Sequence, residues 1–437
     1  MLQEKLGEIA KKNTGKVIVG YDLGDSFSQI SFCTTGSEET ETVSSVAGTE
    51  QYNIPSLLCK RKDVNQWFYG REAMKYRNDS NCIPVENLVS LAEAGEQVQV
   101  GEDSFDAVAL LTLFVKRSLS LLSMSVALNR IEAVMFTVAD LSPRIIDVLG
   151  QVSAGLQLKT SHVFFQSHME SFYYFMLYQP AELRKNGILI CDYSGELETY
   201  RLECNRRTVP QVVFIHKQKY PQIQRMQWSE EEAGHAEKKQ ELDRMFVQVL
   251  EECCKEVVIS TAYLLGDGFK DDWAVESLRY LCRGRRVFQG NNLYSKGACY
   301  GARERLTPSE AGKASVFLGE DKLKANIGMQ VLRQGKQTYY AMMDAGVNWY
   351  EVKADFEIIL ESGHTLSLLI TSLTGGEVVE KVMVLEGLPE RPKRTTRLRI
   401  HVEMSSAEQV VATVEDLGFG ELFASSGKGW TQTFTVV

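Results

Sequence analysis

The sequence predicts an α/β domain followed by an all-β domain, and three observations predict it. Up to about residue 303, apolar runs with a period of two alternate with runs of helical period. From there to about residue 322 the pattern breaks. Beyond that point the period is two almost throughout, with Gly, Pro and Ser between the runs. At 437 residues the chain exceeds one ordinary core and suits two or three domains. The expected division is 1–305, a linker at 306–322, and a β-sandwich at 323–437.

Bulk properties exclude several function classes. Lys and Arg number 48 against 57 Asp and Glu, a formal charge of −9, and no basic run stands out. Nucleic acid and anionic membranes are therefore not the expected partners. The nine cysteines are scattered without a CxxC pair, which suits reduced thiols and a cytoplasmic location better than a disulfide framework or a zinc site. Residues 1–13 read as an amphipathic turn or two without a signal-peptide core. The apolar run Phe105 to Leu128 is interrupted by Lys116 and Arg117, so it is expected to lie on a sheet and not to insert in a membrane.

In chain order, Lys16 to Cys33 comes first, as strand, tight turn, strand. Val17, Val19 and Tyr21 alternate with Ile18 and Gly20, and Ile30 and Phe32 alternate with Gln29 and Ser31. The turn Asp22-Leu23-Gly24-Asp25-Ser26 puts an acid at a strand end before a glycine. Such a turn can aim backbone N–H groups at an anion while the acid holds a hydrated cation. Gly and Asp also favour such turns for backbone reasons alone. Short strand-like pieces follow to Tyr69, then a helical start at Gly70 that includes Met74 and Lys75. A long helix from about Ser104 leads to a buried strand, Ala133 to Val138, and to a helix that begins at Ser142-Pro143. The strand His162 to Phe165 runs through Gln166 into an apolar helix. Gly187 to Glu196 then repeats the opening device: a strand, Asp192, and a turn through Ser194 and Gly195, with Leu197 to Cys204 returning.

Ser229 to Glu232 reads as a capping box for the helix through Leu242, Phe246 and Leu250. Ala262 to Leu265 is a strand ending in Gly266-Asp267-Gly268, and 291–302 is a small-residue helix suited to close packing. Seven strands are expected beyond the linker, at 338–343, 356–360, 365–371, 378–385, 396–402, 410–414 and 431–436. The six histidines show no metal spacing, and Gly427-Lys428-Gly429 reads as a turn.

The ordered set of motifs resembles the actin and DnaK-type heat-shock chaperone superfamily. GYDLGDSFSQISF is similar to its first phosphate loop, CDYSGELETYRLE to the second, AYLLGDGF to the adenosine-packing turn, and SKGACYGA to the closing helix. The stretch Leu385 to Asp416 resembles the chaperones' peptide-binding sandwich, so the likeness covers nearly the whole chain. It implies a duplicated actin-like (RNase H-like) ATPase domain that binds ATP or ADP with magnesium between two lobes, coupled to a sandwich that holds a protein or peptide client. By that resemblance Asp22 and Asp192 hold magnesium, and Gln166 orients water for slow hydrolysis. Gly24, Asp25, Ser26, Lys75, Ser194, Gly195, Gly266, Asp267 and Gly268 meet the nucleotide.

The chain also departs from the family's pattern. Asp25 and Glu196 stand where the family has small or glycine residues, and Met74 matches its phosphate-facing lysine better than Lys75 does. One carboxylate about 5 Å from a phosphate charge costs roughly 3 kcal/mol at an effective dielectric of about 20. The segment Asp192 to Gly266 is too short for the family's inserted upper lobe, and the family's helical lid is not expected. Two readings therefore stand: a chaperone-like ATP-binding protein with weak hydrolysis, or a non-hydrolysing scaffold and protein-binding module on the same fold.

Overall fold

The computed structural model describes residues 15–37, 39–46, 48–62, 64–160, 162–226, 235–255, 257–290, 292–372 and 377–436. It divides into two compact units, Met1–Val316 and Phe317–Val437. The first is mixed α/β with several sheets, and the second is β-rich. The amphipathic turn at 1–13 and the capping box at Ser229 to Glu232 lie outside the described residues.

The first unit opens with β1 (Val17–Asp22), β2 (Phe27–Thr34) and the short β3 (Glu41–Thr42). Helices α1 (Gly70–Tyr76), α2 (Leu88–Ala94) and α3 (Ala107–Leu119) follow. Then come β4 (Ile131–Val138), α4 (Pro143–Leu156), β5 (His162–Ser167) and α5 (His168–Leu177). The sheet order is β5-β4-β1-β2-β3. β1 runs parallel to β4 and antiparallel to β2, and β4 runs parallel to β5. Helix starts follow local chemistry. The Asp106 side chain accepts from Ala109 N–H at 2.9 Å to open α3, and Ser142 accepts from Ile145 N–H at 3.1 Å with Pro143 in the first turn of α4.

The second half of the unit repeats this plan. β6 (Gly187–Asp192), β7 (Glu196–Asn205) and β8 (Gln211–Gln224) lead through α6 (His235–Lys255) to β9 (Ile259–Leu265), α7 (Val275–Leu281) and β10 (Arg286–Gln289). β6 is parallel to β9 and antiparallel to β7, and β9 is parallel to β10. Both sheets thus share one sequence of parallel and antiparallel neighbours. Each acid ends the first strand of its half. Asp22 pairs in register with Thr137, and Asp192 with Leu265.

Alternation along β1 sends its residues to two layers. Val17, Val19 and Tyr21 pack with α3 and α4 through Leu111, Phe114, Val115 and Leu149. The apolar stretch Ala107–Met124 is long and apolar enough to cross a membrane by length and composition, yet Leu110, Leu111, Phe114, Val115, Leu119 and Leu122 are all part of this core. On the opposite face Ile18 packs with α8 (Leu293–Leu306) through Ala298, Cys299 and Ala302. That approach needs glycine at two places. A Cβ on Gly20 would run into the Ser295 carbonyl, and one on Gly297 into the Ser171 carbonyl of α5. Hydrogen bonds fasten the same helix: Ser31 Oγ to Ser295 Oγ at 2.8 Å, and Cys299 Sγ donating to Cys33 Sγ at 3.3 Å.

The stretch expected as a linker holds the end of α8, the single turn α9 (Glu310–Lys313) and the strand β11 (Ser315–Phe317). The second unit contains β12 (Ala325–Arg333), β13 (Lys336–Met343), β14 (Lys353–Leu360), β15 (Thr365–Ser372), β16 (Val379–Val384), β17 (Thr396–Ser406), β18 (Gln409–Gly418) and β19 (Gly429–Thr435). They form two four-stranded sheets, ordered β13-β12-β15-β16 and β14-β17-β18-β19. Leu366, Leu368 and Ile370 of one, and Leu398, Ile400, Val402, Val410, Ala412 and Val414 of the other, are buried at every second position. At one end the buried Asp416 carboxylate takes a two-pronged bond from Arg391, 2.8 Å at each oxygen, and N–H bonds from Gly418 and Ser426. Burial opposes its ionisation, but those donors hold it well below the usual carboxylate range.

Gly297→Ala tests the close approach of α8. The added methyl must displace backbone atoms of α5, so the variant should lose about 1–3 kcal/mol or more, read as a lowered midpoint in urea. An unchanged midpoint would contradict the packing described.

Candidate functional site

The first acid-glycine turn is built on a ladder that overshoots β1. Leu23 N–H continues the parallel pairing by donating to Thr137 O at 2.9 Å, and this fixes Asp22 at the C-terminal edge of the sheet. Asp25 has a local task. Its Oδ1 accepts from Val89 N–H at 2.8 Å and Ser90 N–H at 3.1 Å, and Oδ2 accepts from the Ser90 hydroxyl. These are first-turn groups of α2, whose own N-cap, Asn87, makes no side-chain cap. A carboxylate from a turn 64 residues away thus supplies the missing cap and meets the positive end of the helix.

The second turn mirrors the first. Tyr193 N–H donates to Leu265 O at 2.8 Å, and Ser194 closes the turn by donating its N–H at 3.1 Å and its hydroxyl at 2.6 Å to Asp192 Oδ1. The Gly266-Asp267-Gly268 turn after β9 lies directly against it. Gly266 has φ +91°, and a Cβ at Gly266 or Gly268 would overlap Tyr193 or Ser194.

A chain of side chains spans the two turns. Asp22 Oδ1 lies 2.8 Å from Nε2 of His168, the first residue of α5. The His168 ring stacks on Tyr294 of α8, with centroids 3.9 Å apart and planes within 6°. Tyr294 OH donates to Asp192 Oδ2 at 3.1 Å. Burial raises the Asp192 pKa, and burial pushes the Tyr294 phenol well up, so it stays a donor. The Tyr200 ring meets Tyr294 edge-on at 6.4 Å, and Tyr200 OH donates to Glu198.

These groups line one cleft of about 300 Å³. Of the residues proposed from sequence, Asp22, Gly24, Asp25, Ser26, Asp192, Ser194, Gly195, Gly266 and Asp267 come together in it. The others do not. Lys75 is exposed on α1 and is absent from the lining, as is Met74. Gly268 packs beneath the turn against Tyr193. Gln166 is buried away from the cleft: its Nε2 donates to Ser171 Oγ at 2.7 Å, and its Oε1 faces Gly301 of α8. Strand β5 sends that side chain into the layer between α5 and α8, and His168, two residues on, stands beside Asp22. Sequence reading missed His168 and Tyr294. The only available signals were His168 at a strand-to-helix junction and Tyr294 inside the small-residue helix.

The lining is acidic. Asp22, Asp25, Asp192, Glu196, Glu198 and Asp267 face it, with His168 and, among the described residues, with no Lys or Arg. Lys219 lies 3.2 Å from Glu198 and 4.0 Å from Glu196, Lys217 lies 3.7 Å from Glu198, and Lys270 lies 2.8 Å from Asp267. The two central aspartates instead bond to His168, Ser194 and Tyr294. Among the described residues no group of three His, Cys, Asp or Glu is placed to hold a metal ion. A triphosphate with magnesium does not fit this donor set. Its phosphates would meet carboxylates in place of cations, and both aspartates already have side-chain partners.

Residues 39–320 match the model for the C-terminal part of a family of unknown function, DUF5716, and residues 322–436 match a domain of unknown function, DUF8552. No curated protein matches the chain. The first match covers more than half of the chain, which therefore belongs to the DUF5716 family.

Asp192→Asn tests the electrostatics of the cleft. A carboxyl whose folded pKa is raised contributes stability that is complete below its unfolded value, about 3.9, and is lost as pH rises through the folded value. Removing the charge should therefore flatten the fall in Tm on going from about pH 4 toward neutrality. Superimposable pH–Tm curves for wild type and variant would show that Asp192 is not desolvated as described.

Proposed function

We propose that this member of the DUF5716 family is a non-hydrolysing protein-binding module on an actin- and heat-shock-chaperone-type fold. In this reading its duplicated α/β unit is a scaffold, and its β-rich unit holds an extended protein or peptide client in the cytoplasm. The repeated strand plan, and acids that end equivalent strands, support the fold assignment. One observation favours the scaffold over an ATPase: Asp22, His168, Tyr294 and Asp192 form a closed chain of contacts across the cleft. The residues that the resemblance gives to magnesium serve here as a joint between halves.

The β-rich unit supports the binding role. A groove of about 1080 Å³ is lined by β12, β14 and β15, with Met329, Val331, Phe356, Ile358 and Leu366 among its apolar residues. Among the described residues β14 is an edge strand, paired only with β17, and Leu332 and Ile359 nearby are 51% and 53% exposed. Such an edge takes an extended peptide by backbone pairing, with alternate side chains entering the groove. Nearby charges are balanced, Arg394 with Glu361 and Arg397 with Glu357, so the reading favours apolar peptides over strongly charged ones.

ATP or ADP held with magnesium and hydrolysed slowly is the second reading. The convergence of both acid-glycine turns on one cleft, at the C-terminal ends of parallel strands, favours it. Melting with millimolar ATP or ADP, with and without magnesium, separates the two. The scaffold reading expects no shift. A ligand at a hundred times its Kd adds about 2.7 kcal/mol, so a shift of several degrees that vanishes in Asp22→Ala with Asp192→Ala would establish the nucleotide site and overturn the scaffold reading.

Peptide binding has its own test. Fluorescence anisotropy with labelled seven-residue peptides should detect binding of apolar sequences by the full chain, and Ile358→Asp should weaken it by about tenfold or more. Equal affinity in that variant, or no retained peptide in a library, would remove the groove from the proposal.

A further inference from the structure

A second cavity of about 300 Å³ lies in the α/β unit and shares no lining residue with the cleft. One wall is apolar and comes from the core side of four elements: Tyr173 and Met176 of α5, Ile188 of β6, Leu202 of β7 and Val213 of β8, while Asn186, Gln211 and Ser315 add neutral polar groups. Each residue of the apolar wall belongs to the buried set, so this wall is fixed by the core. Two guanidiniums also line it. Arg184 ends the single helical turn Ala181–Arg184, and Arg206 sits in the connection from β7 to β8.

Among the described residues neither arginine has a counter-ion. Arg206 Nη2 donates to the carbonyls of Arg184 and Lys185 at 3.0 and 2.8 Å, which fixes it beside Arg184 without neutralising its charge. Arg184 Nε is buried and has no hydrogen-bond partner. Among the described residues it is the one buried side-chain nitrogen so left. Buried donors are almost always satisfied in folded proteins, and an unsatisfied one calls for an explanation. Burial lifts the Tyr173 pKa to about 12, so its hydroxyl, 2.9 Å from Ser315 Oγ, adds no negative charge to the cavity.

We propose that this cavity binds a small organic acid, its carboxylate held by Arg184 and Arg206 and its apolar body lying against Met176, Ile188, Leu202 and Val213. Guanidinium presents a planar fork that matches a carboxylate in two-point contact. A bare inorganic anion would satisfy the arginines but leave the walls wet, and an amine would oppose their charge. The volume stands at the lower end of ligand pockets, which favours a compact aromatic or medium-chain aliphatic acid. The proposal is independent of what the cleft or the groove binds.

Calorimetric titration of the full chain with 4-phenylbutyrate, octanoate and indole-3-propionate tests it, with acetate, inorganic phosphate and 4-phenylbutylamine as controls. At least one of the three acids should bind one to one with a Kd below about 1 mM, and the controls should not. Arg206→Gln, at an exposed position, and Arg184→Gln should each weaken that acid by about tenfold or more, with a cooperative melt of each unliganded variant showing that it is folded. Val213→Phe, which fills the cavity, should weaken binding while both arginines remain. Saturable binding by none of the three acids would overturn the proposal. So would phosphate or the amine binding as tightly as the best acid, or wild-type affinity in both arginine variants.

Discussion

The close approach of α8 to β1 and α5 is the constraint on which the first unit depends. Gly20 and Gly297 leave no side chain between backbones, so the helix comes near enough for Ser295 and Cys299 to bond to β2. Tyr294 sits at the start of that helix, and its position follows from this contact. Without it, His168 would lose its stacking partner, Asp192 would lose a donor, and the two halves would lose the side-chain chain that crosses the cleft.

The cleft shows how one layout of carboxylates can serve a local purpose. In a phosphate-binding cleft, acids at strand ends work because a cation and N–H groups neutralise the ligand they face. Here the acids are satisfied within the protein: Asp25 by a helix terminus, Asp192 by two hydroxyls and an N–H, Asp22 by an imidazole, and the glutamates by lysines. Each such pairing removes a reason for an outside cation to bind. Asp416 in the β-rich unit obeys the same rule, buried only because Arg391 and two backbone amides meet it.

Sequence periodicity made the alternation of strands and helices and the later β-rich region legible, because burial on one or two faces imprints a period. Both acid-glycine turns were legible for the same reason, with their strands on either side. Several strands escaped notice, among them β8, β10, β11 and β12. β8 is polar along much of its length, with Lys217, Gln218 and Lys219 in a row, and β12 directly follows the break in periodicity at 306–322. His168 and Tyr294 were invisible because their partners are 146 and 102 residues away, and no local motif encodes a stacking pair. The helix that Asp25 caps is also remote in sequence, 64 residues on. Lys75 and Gln166 show the converse, since motif position alone does not fix which way a side chain points.

The same helix packing has a consequence for synthesis. Ser31 and Ser295 are bonded across 264 residues of chain, so the opening hairpin leaves the ribosome long before its covering helix exists. At about 5–20 residues per second, that interval is roughly 15–50 s, during which Ile18, Gly20 and Cys33 have no helix over them. The N-terminal hairpin must wait, sheltered or soluble, for a helix near the end of its own unit. A nascent chain cut before residue 293 therefore lacks one of the layers that make β1 an interior strand.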